Sequence, residues 1–303
     1  MGTCTVSLRR ELVRLGTRWF IKRRTRRETA AEMRRRLGAI EWAYPRPPAS
    51  TTTTAVNAGN VKAHRITTPA SHRDRYLLYL HGGGYRAGAI ICYRHLTWRI
   101  ASAARACVLA IDYRLAPEHP FPAALDDAIS AYRWMVAEGA DPRGCAFIGD
   151  SAGGGLALAM LLRLRDEGFQ TPAAAIAISP WTDLALTGAS LHRNARSDPM
   201  LNAGDLPMLA AEYLNGADPR NPYASPLYGD PVGLPPVLIQ VGSDEILHDD
   251  AVRMAERLRS AKCRVELEIW PRMPHAWHLF VPVLPEAHRA IRRIGDFVES
   301  SSA

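Results

Sequence analysis

Cysteine is scarce in this chain and poorly placed for structural chemistry. Its five residues, Cys4, Cys92, Cys107, Cys145 and Cys263, are odd in number and scattered, and they contain no C-x-x-C pair. That argues against a disulfide framework or a thiolate zinc site, and a reduced, cytoplasmic setting is expected. Long apolar runs are missing as well: no stretch of 18 or more apolar residues occurs, so no transmembrane helix or stable membrane insertion is expected. Arg9, Arg10, Arg14 and Arg18 interrupt any signal-peptide core at the N-terminus. There is no H-E-x-x-H, no glycine loop ending in G-K-[ST], and no G-x-G-x-x-G opening the first βα turn, so neither metal nor cofactor is expected.

The body of the chain also lacks an excess of either charge. The formal net charge is +8, but residues 1–40 carry 12 Lys or Arg against three Asp or Glu, while residues 41–303 carry 26 against 27. A basic surface for nucleic acid is therefore not expected of the main domain. Within the basic segment, Leu8, Leu12, Val13, Leu15, Trp19, Phe20, Ile21, Ala30, Met33 and Leu37 have the spacing of one or two amphipathic helices. The expectation is that the Arg and Lys positions face solvent and the apolar stripe docks inward. Pro45, Pro47 and Pro48, with the Ser-Thr run 50–54, end that region.

What is present from about Val61 onward is an alternation of short apolar runs and helical patterns. Val61–Thr67, Tyr76–Leu80, Cys107–Tyr113, the run before Gly149, Ala173–Ser179, Val237–Val241 and Val265–Trp270 read as strands. Helices are expected over 93–105, 121–138, 249–261 and 286–299, with another leaving the glycine turn at 149–153. This pattern predicts an α/β fold with a mainly parallel central sheet and helices on both faces. Residues 181–234 break the alternation with Pro, Asn, Asp and Gly and at most one helix, near 205–214. A loop that long suggests cap material over the sheet. The expected division is 1–55 as a first part of a helical cap, 56–180 and 235–303 as two parts of the α/β domain, and 181–234 as a second part of the cap.

One stretch carries chemistry. Ala146-Phe147-Ile148 enters Gly149-Asp150-Ser151-Ala152-Gly153, and a helical pattern leaves it, which is the strand-turn-helix setting of a G-x-S-x-G nucleophile elbow. Gly149 and Gly153 leave room for strand and helix to approach, and the turn projects the Ser151 hydroxyl into a cleft. A serine nucleophile needs a base, an acid that orients it, and donors for an oxyanion. Past Val237–Val241 the first carboxylate is Asp244, with Glu245, Asp249 and Asp250 as rivals. Past Val265–Trp270 come His275 and His278; His275, following Pro274 in a loop, is the better base, and His248 is a weaker third candidate. Upstream, His81-Gly82-Gly83-Gly84 ends a strand, and a glycine run there lets backbone N–H groups turn inward.

Taken together, His81–Gly84, Gly149–Gly154 and the stretch Asp112–Ala124 resemble the HGGG, GDSAGG and DYRLAPE segments of the hormone-sensitive-lipase-like α/β hydrolase esterases, over roughly residues 60–300. The resemblance implies an α/β-hydrolase fold with a helical cap, and a serine carboxylesterase acting on short- to medium-chain esters. Ser151, Asp244 and His275 would be the triad, and the N–H groups of Gly83, Gly84 and Ala152 the oxyanion hole. His81, Gly82, Gly149, Asp150 and Gly153 would shape the motifs. A lactone hydrolase with the same triad and a non-catalytic ligand-binding protein on the same fold are the alternatives. The partner expected is a small ester, and a homodimer is compatible with the family. Tyr85 and Trp181 stand where a substrate pocket would be lined. Ala276 occupies a position where many members of the family have glycine, which with Trp277 and His278 would alter the pocket wall.

Overall fold

The computed structural model describes residues 7–23, 28–39 and 44–301; Cys4 lies outside them. Two short helices come first, α1 (Leu8–Thr17), prolonged by a π-helical turn at Arg18–Lys22, and α2 (Ala30–Ala39). Then follow β1 (Thr52–Ala58), β2 (Val61–Thr67), β3 (Tyr76–Leu80), α3 (Ile90–Ala103), β4 (Cys107–Asp112), α4 (Ala123–Ala137), β5 (Cys145–Asp150), α5 (Ala152–Asp166) and β6 (Ala174–Ile178). The interval 181–234 holds α6 (Ser190–Arg193), α7 (Leu206–Leu214) and mostly irregular backbone. The chain closes with β7 (Val237–Gly242), α8 (His248–Ser260), β8 (Val265–Trp270) and α9 (Pro285–Ser301).

The eight strands form one sheet in the order β1-β2-β4-β3-β5-β6-β7-β8. β1 and β2 run antiparallel to their neighbours and the other pairings are parallel. Alternation along each strand divides the core. Leu78, Leu80, Phe147 and Ile239 pack toward α4, α5 and α8, whereas Leu77, Tyr79, Ile148 and Leu238 pack toward α3 and α9. Helices thus cover both faces, as the alternating pattern implied.

β1 is the strand that the sequence pattern does not disclose. The Ser-Thr stretch reads as a linker, yet Thr52–Ala58 pairs with β2 through a tight turn in which Gly59 (φ 61°) and Asn60 (φ 69°) both take the left-handed conformation. Being an exposed edge strand, it needs β propensity more than apolar residues.

At the centre of the sheet, α5 approaches β3 so closely that only glycine fits. A Cβ on Gly153 would stand 2.0 Å from the Leu80 carbonyl oxygen and 2.6 Å from that of His81, and one on Gly149 would stand 2.2 Å from the Gly153 carbonyl oxygen. Backbone on both sides leaves no flexible group to give way. A Gly153→Ala variant is therefore expected to lose about 4 kcal/mol or more of stability, seen in thermal melts as a fall in Tm on the order of 10 °C.

Candidate active site

The chain leaves β5 at Asp150 and enters α5 at Ala152, and the connecting residue takes φ 55°, ψ −120°. That residue is Ser151, held in a strained conformation because its N–H donates to the Ile178 carbonyl (2.8 Å) and its own carbonyl accepts from the Trp181 N–H (3.0 Å). Its side chain is half-buried at the carboxyl end of the sheet. The first N–H groups of α5 point toward this end, since a helix cannot satisfy its first turn.

The glycine loop after β3 is fastened from two sides. Tyr113 Oη donates to the His81 carbonyl (2.6 Å), and the Gly82 N–H donates to Asp150 Oδ1 (3.0 Å), which also accepts from Tyr79 Oη (2.7 Å). Gly83, at φ 120°, turns the chain so that its carbonyl accepts from the N–H groups of Arg86 and Ala87. Gly82 spends its N–H on Asp150, but those of Gly83, Gly84 and Ala152 find no acceptor among the described residues. His81 is buried, stacks on Tyr113 with ring centroids 4.2 Å apart, and donates from Nδ1 to the Gly82 carbonyl (2.8 Å). Burial holds its pKa below the usual imidazole value. Burial also pushes Asp150 up to about 6, against the pull of Tyr79, His275 and Gly82.

The carboxylate that His275 meets is Glu245 and not Asp244, the one that the order along the sequence favours. His275 Nδ1 lies 2.8 Å from Glu245 Oε2, with His275 3% exposed and Glu245 fully buried. Asp244 instead meets the Arg14 guanidinium at 2.8 Å and accepts from Ser243 Oγ at 2.8 Å. The cause is the turn after β7. The Glu245 N–H folds back toward the Gly242 carbonyl (3.4 Å), sending consecutive side chains to opposite sides. Glu245 Oε1 then accepts from the Gly242 N–H (2.6 Å) and Ser179 Oγ (2.7 Å), so three donors fix one carboxylate. Of the other rivals, Asp250 accepts from the N–H groups of Thr182 and Asp183, and burial followed by the charge of Asp183 pushes it up to about 8. Asp249 caps Ser190 and pairs with Arg193. His248 contacts Asp249, and His278 meets the Gln240 side chain at 2.7 Å, its pKa pushed down to about 3 by burial.

Burial disfavours the charged form of His275, but the hydrogen bond and charge of Glu245, reinforced by Asp198 and Asp150, more than reverse this and hold its pKa above the ordinary 6.5. Glu245 is itself pushed up by burial, against the pull of His275, Gly242 and Ser179.

Sequence reasoning missed the residues that hold the turn after β7. Asn194 Nδ2 donates to the carbonyls of Ser243 (3.1 Å) and Glu245 (2.8 Å), and Asp198 accepts the Ile246 N–H (2.9 Å). Ser179 bridges Glu245 and the Ala276 N–H (3.1 Å). Asn194 and Asp198 sit in irregular backbone with no local signature, whereas Ser179 could have been sought as the polar residue just past β6. Tyr85 and Trp181 are each 1% exposed, and Tyr85 stacks on Tyr213 with ring centroids 3.7 Å apart. Trp277 is likewise core, and Ala276 takes the left-handed conformation (φ 46°) that glycine would adopt without strain.

Residues 77–279 match the α/β hydrolase fold family. An acetyl-hydrolase of Streptomyces hygroscopicus is 48% identical over 247 residues, covering 82% of each chain. The chain belongs to the hormone-sensitive-lipase-like esterases of the α/β hydrolase family. An esterase of Acinetobacter venetianus is 35% identical over 246 residues, 81% of each chain. Among solved structures, an esterase from the bacterial hormone-sensitive lipase family superposes with a TM-score of 0.93 at 42% identity over 100% of both chains. EstE5 soaked with p-nitrophenyl butyrate gives 0.93 at 39% identity, covering 98% of this chain and 99% of that one. In this esterase the family's DYRLAPE segment serves as a staple. Asp112 caps Ile90 of α3 (2.7 Å), Arg114 pairs with Asp127 of α4 (2.7 Å), and Glu118 pairs with Arg34 of α2 (2.8 Å).

Proposed function

We propose that this esterase hydrolyses short-chain carboxylic esters, acetyl esters among them, through Ser151, His275 and Glu245. The observation that carries the reading is the buried 2.8 Å contact of His275 with Glu245, in a chain whose β5–α5 turn holds a serine at φ 55°. Ser151 Oγ attacks the ester carbonyl while His275 Nε2 takes its proton, and Glu245 holds Nδ1–H so that Nε2 is the free base. The N–H groups of Gly83, Gly84 and Ala152 receive the oxyanion. His275 returns the proton to the departing alcohol, and water activated by the same nitrogen then releases the acid from the acyl-enzyme. A small acyl group is supported by Leu209 of α7, which lies so close to Gly84 that a Cβ there would stand 3.3 Å from its Cδ1. Helices α1 and α2 and residues 181–234 act as the cap that admits it, and the name and likeness of the acetyl-hydrolase agree with that size.

The pH–rate profile with p-nitrophenyl acetate tests this reading. The reactive form carries neutral His275, whose pKa is held above 6.5, so kcat/KM is expected to rise with pH along a limb whose midpoint lies above 6.5. Replacing Glu245 with Gln removes the hydrogen bond and charge that raise it and leaves burial, so any residual activity is expected to show that limb displaced downward. A limb that stays in place in Glu245→Gln would detach the base from this acid.

A further inference from the structure

Helix α1 is amphipathic, but it docks with its apolar side away from the core. The polar side faces the body. Arg14 Nη1 donates to the Arg272 carbonyl (2.9 Å) and Nη2 to that of Ser197 (3.3 Å), Arg18 donates to that of Arg196 (2.5 Å), and Lys22 to those of Ala195 (2.8 Å) and Asp198 (2.6 Å). Arg14, Arg18 and Lys22, four residues apart, thus satisfy four consecutive carbonyls, 195–198, of irregular backbone. This reverses the expectation that the basic positions face solvent.

The apolar side is left outside. Leu8 (73% exposed), Leu12 (59%), Leu15 (55%), Trp19 (55%) and Phe20 (67%) line one face, spaced as successive turns of a helix, and make up five of the nine large apolar side chains exposed among the described residues. The other four, Met208, Val232, Ile269 and Val283, are scattered along the sequence. A stripe of five such residues spans on the order of several hundred Å², at the upper end of what monomers leave uncovered. Around it, Arg9, Arg18 and Arg23 are exposed, with the Arg23 guanidinium 3.6 Å from the centre of the Trp19 ring. The one carboxylate between Leu8 and Arg23, Glu11, is paired with Arg272 (2.9 Å).

We infer that this face docks on an anionic lipid surface. An apolar stripe of Leu, Trp and Phe rimmed by arginines is the composition that seats a helix in the headgroup region. A second copy of the chain would meet the stripe with the same positive rim, so a two-fold contact would set arginine against arginine. Because no described helix is long and apolar enough to cross a membrane, the contact is peripheral. Arg14 joins the face to Asp244, next to the acid, so docking holds the cap and the catalytic turn at the lipid boundary, where esters of low solubility collect.

Cosedimentation with equimolar phosphatidylcholine–phosphatidylglycerol vesicles tests the inference. The wild-type protein is expected to bind these vesicles, to bind pure phosphatidylcholine far less, and to be released by high salt. Leu12→Glu/Leu15→Glu is expected to weaken binding at least about tenfold, with the thermal midpoint kept within a few degrees of wild type, because both side chains are exposed. Should that variant misfold, Arg9→Glu/Arg23→Glu, which leaves the stripe intact, must show the same loss of binding. No binding by the wild type, equal binding to neutral vesicles, unchanged binding in both variants, or a wild-type dimer that Leu12→Glu/Leu15→Glu turns into monomer would each overturn it. These outcomes are independent of whether Ser151 is the nucleophile, since binding needs no turnover.

Discussion

Ser151→Ala is expected to lower kcat for p-nitrophenyl acetate between about 10⁴- and 10⁶-fold and to abolish labelling by an alkyl phosphonate. The prediction rests on the separation between the hydroxyl and the turn that presents it. The turn is held by backbone bonds, Ser151 N–H to Ile178 and Trp181 N–H to Ser151, and by the close approach of Gly149 to Gly153. None of these uses the side chain, and alanine at φ 55° suffers the same strain as serine, so the fold should survive. The loss should therefore fall on kcat while the thermal midpoint stays within a few degrees of wild type. The oxyanion donors remain, which is why some rate above that of water should persist. Normal turnover by a folded Ser151→Ala protein would remove the acyl-enzyme mechanism altogether.

The second large effect separates two adjacent carboxylates. Glu245→Gln is expected to reduce kcat by about 10⁴-fold, equivalent to about 5.5 kcal/mol of transition-state stabilisation. The amide oxygen introduced by Glu245→Gln would keep the Gly242 and Ser179 donors, which leaves the new NH₂ group facing His275 Nδ1. That forces the Nε2–H tautomer, in which the nitrogen facing the serine cannot accept a proton. Asp244→Asn should cost less than about tenfold in kcat/KM, because Asp244 holds Arg14 of α1 and not the imidazole. Steady-state kinetics on both variants decides the point: a loss in Asp244→Asn as deep as that in Glu245→Gln would return the acid role to Asp244.

That contrast also shows why reading order along a chain is a weak guide to which carboxylate meets a histidine. Asp244 is the first carboxylate past β7, but position after a strand says only that a residue reaches the edge of the sheet. Which of two neighbours turns inward depends on the donors waiting there, and those come from Gly242 and Ser179, the latter 66 residues away. The helix α1 misled in a similar way. Its periodicity correctly indicates an amphipathic helix but is symmetric with respect to which face is buried. The body it meets offers carbonyls of residues 195–198 and not an apolar groove, so the cations went inward.

The sequence by itself determined the α/β layering, the strained serine turn, the glycine loop and the histidine loop. Each of these is enforced by sterics or patterning within a few residues: glycines at 149 and 153 admit one local packing, and short apolar runs admit buried strands. Tertiary structure alone decided the partner of His275, the edge strand β1 and the outward face of α1, because each is a choice between locally equal alternatives made by groups distant in the chain.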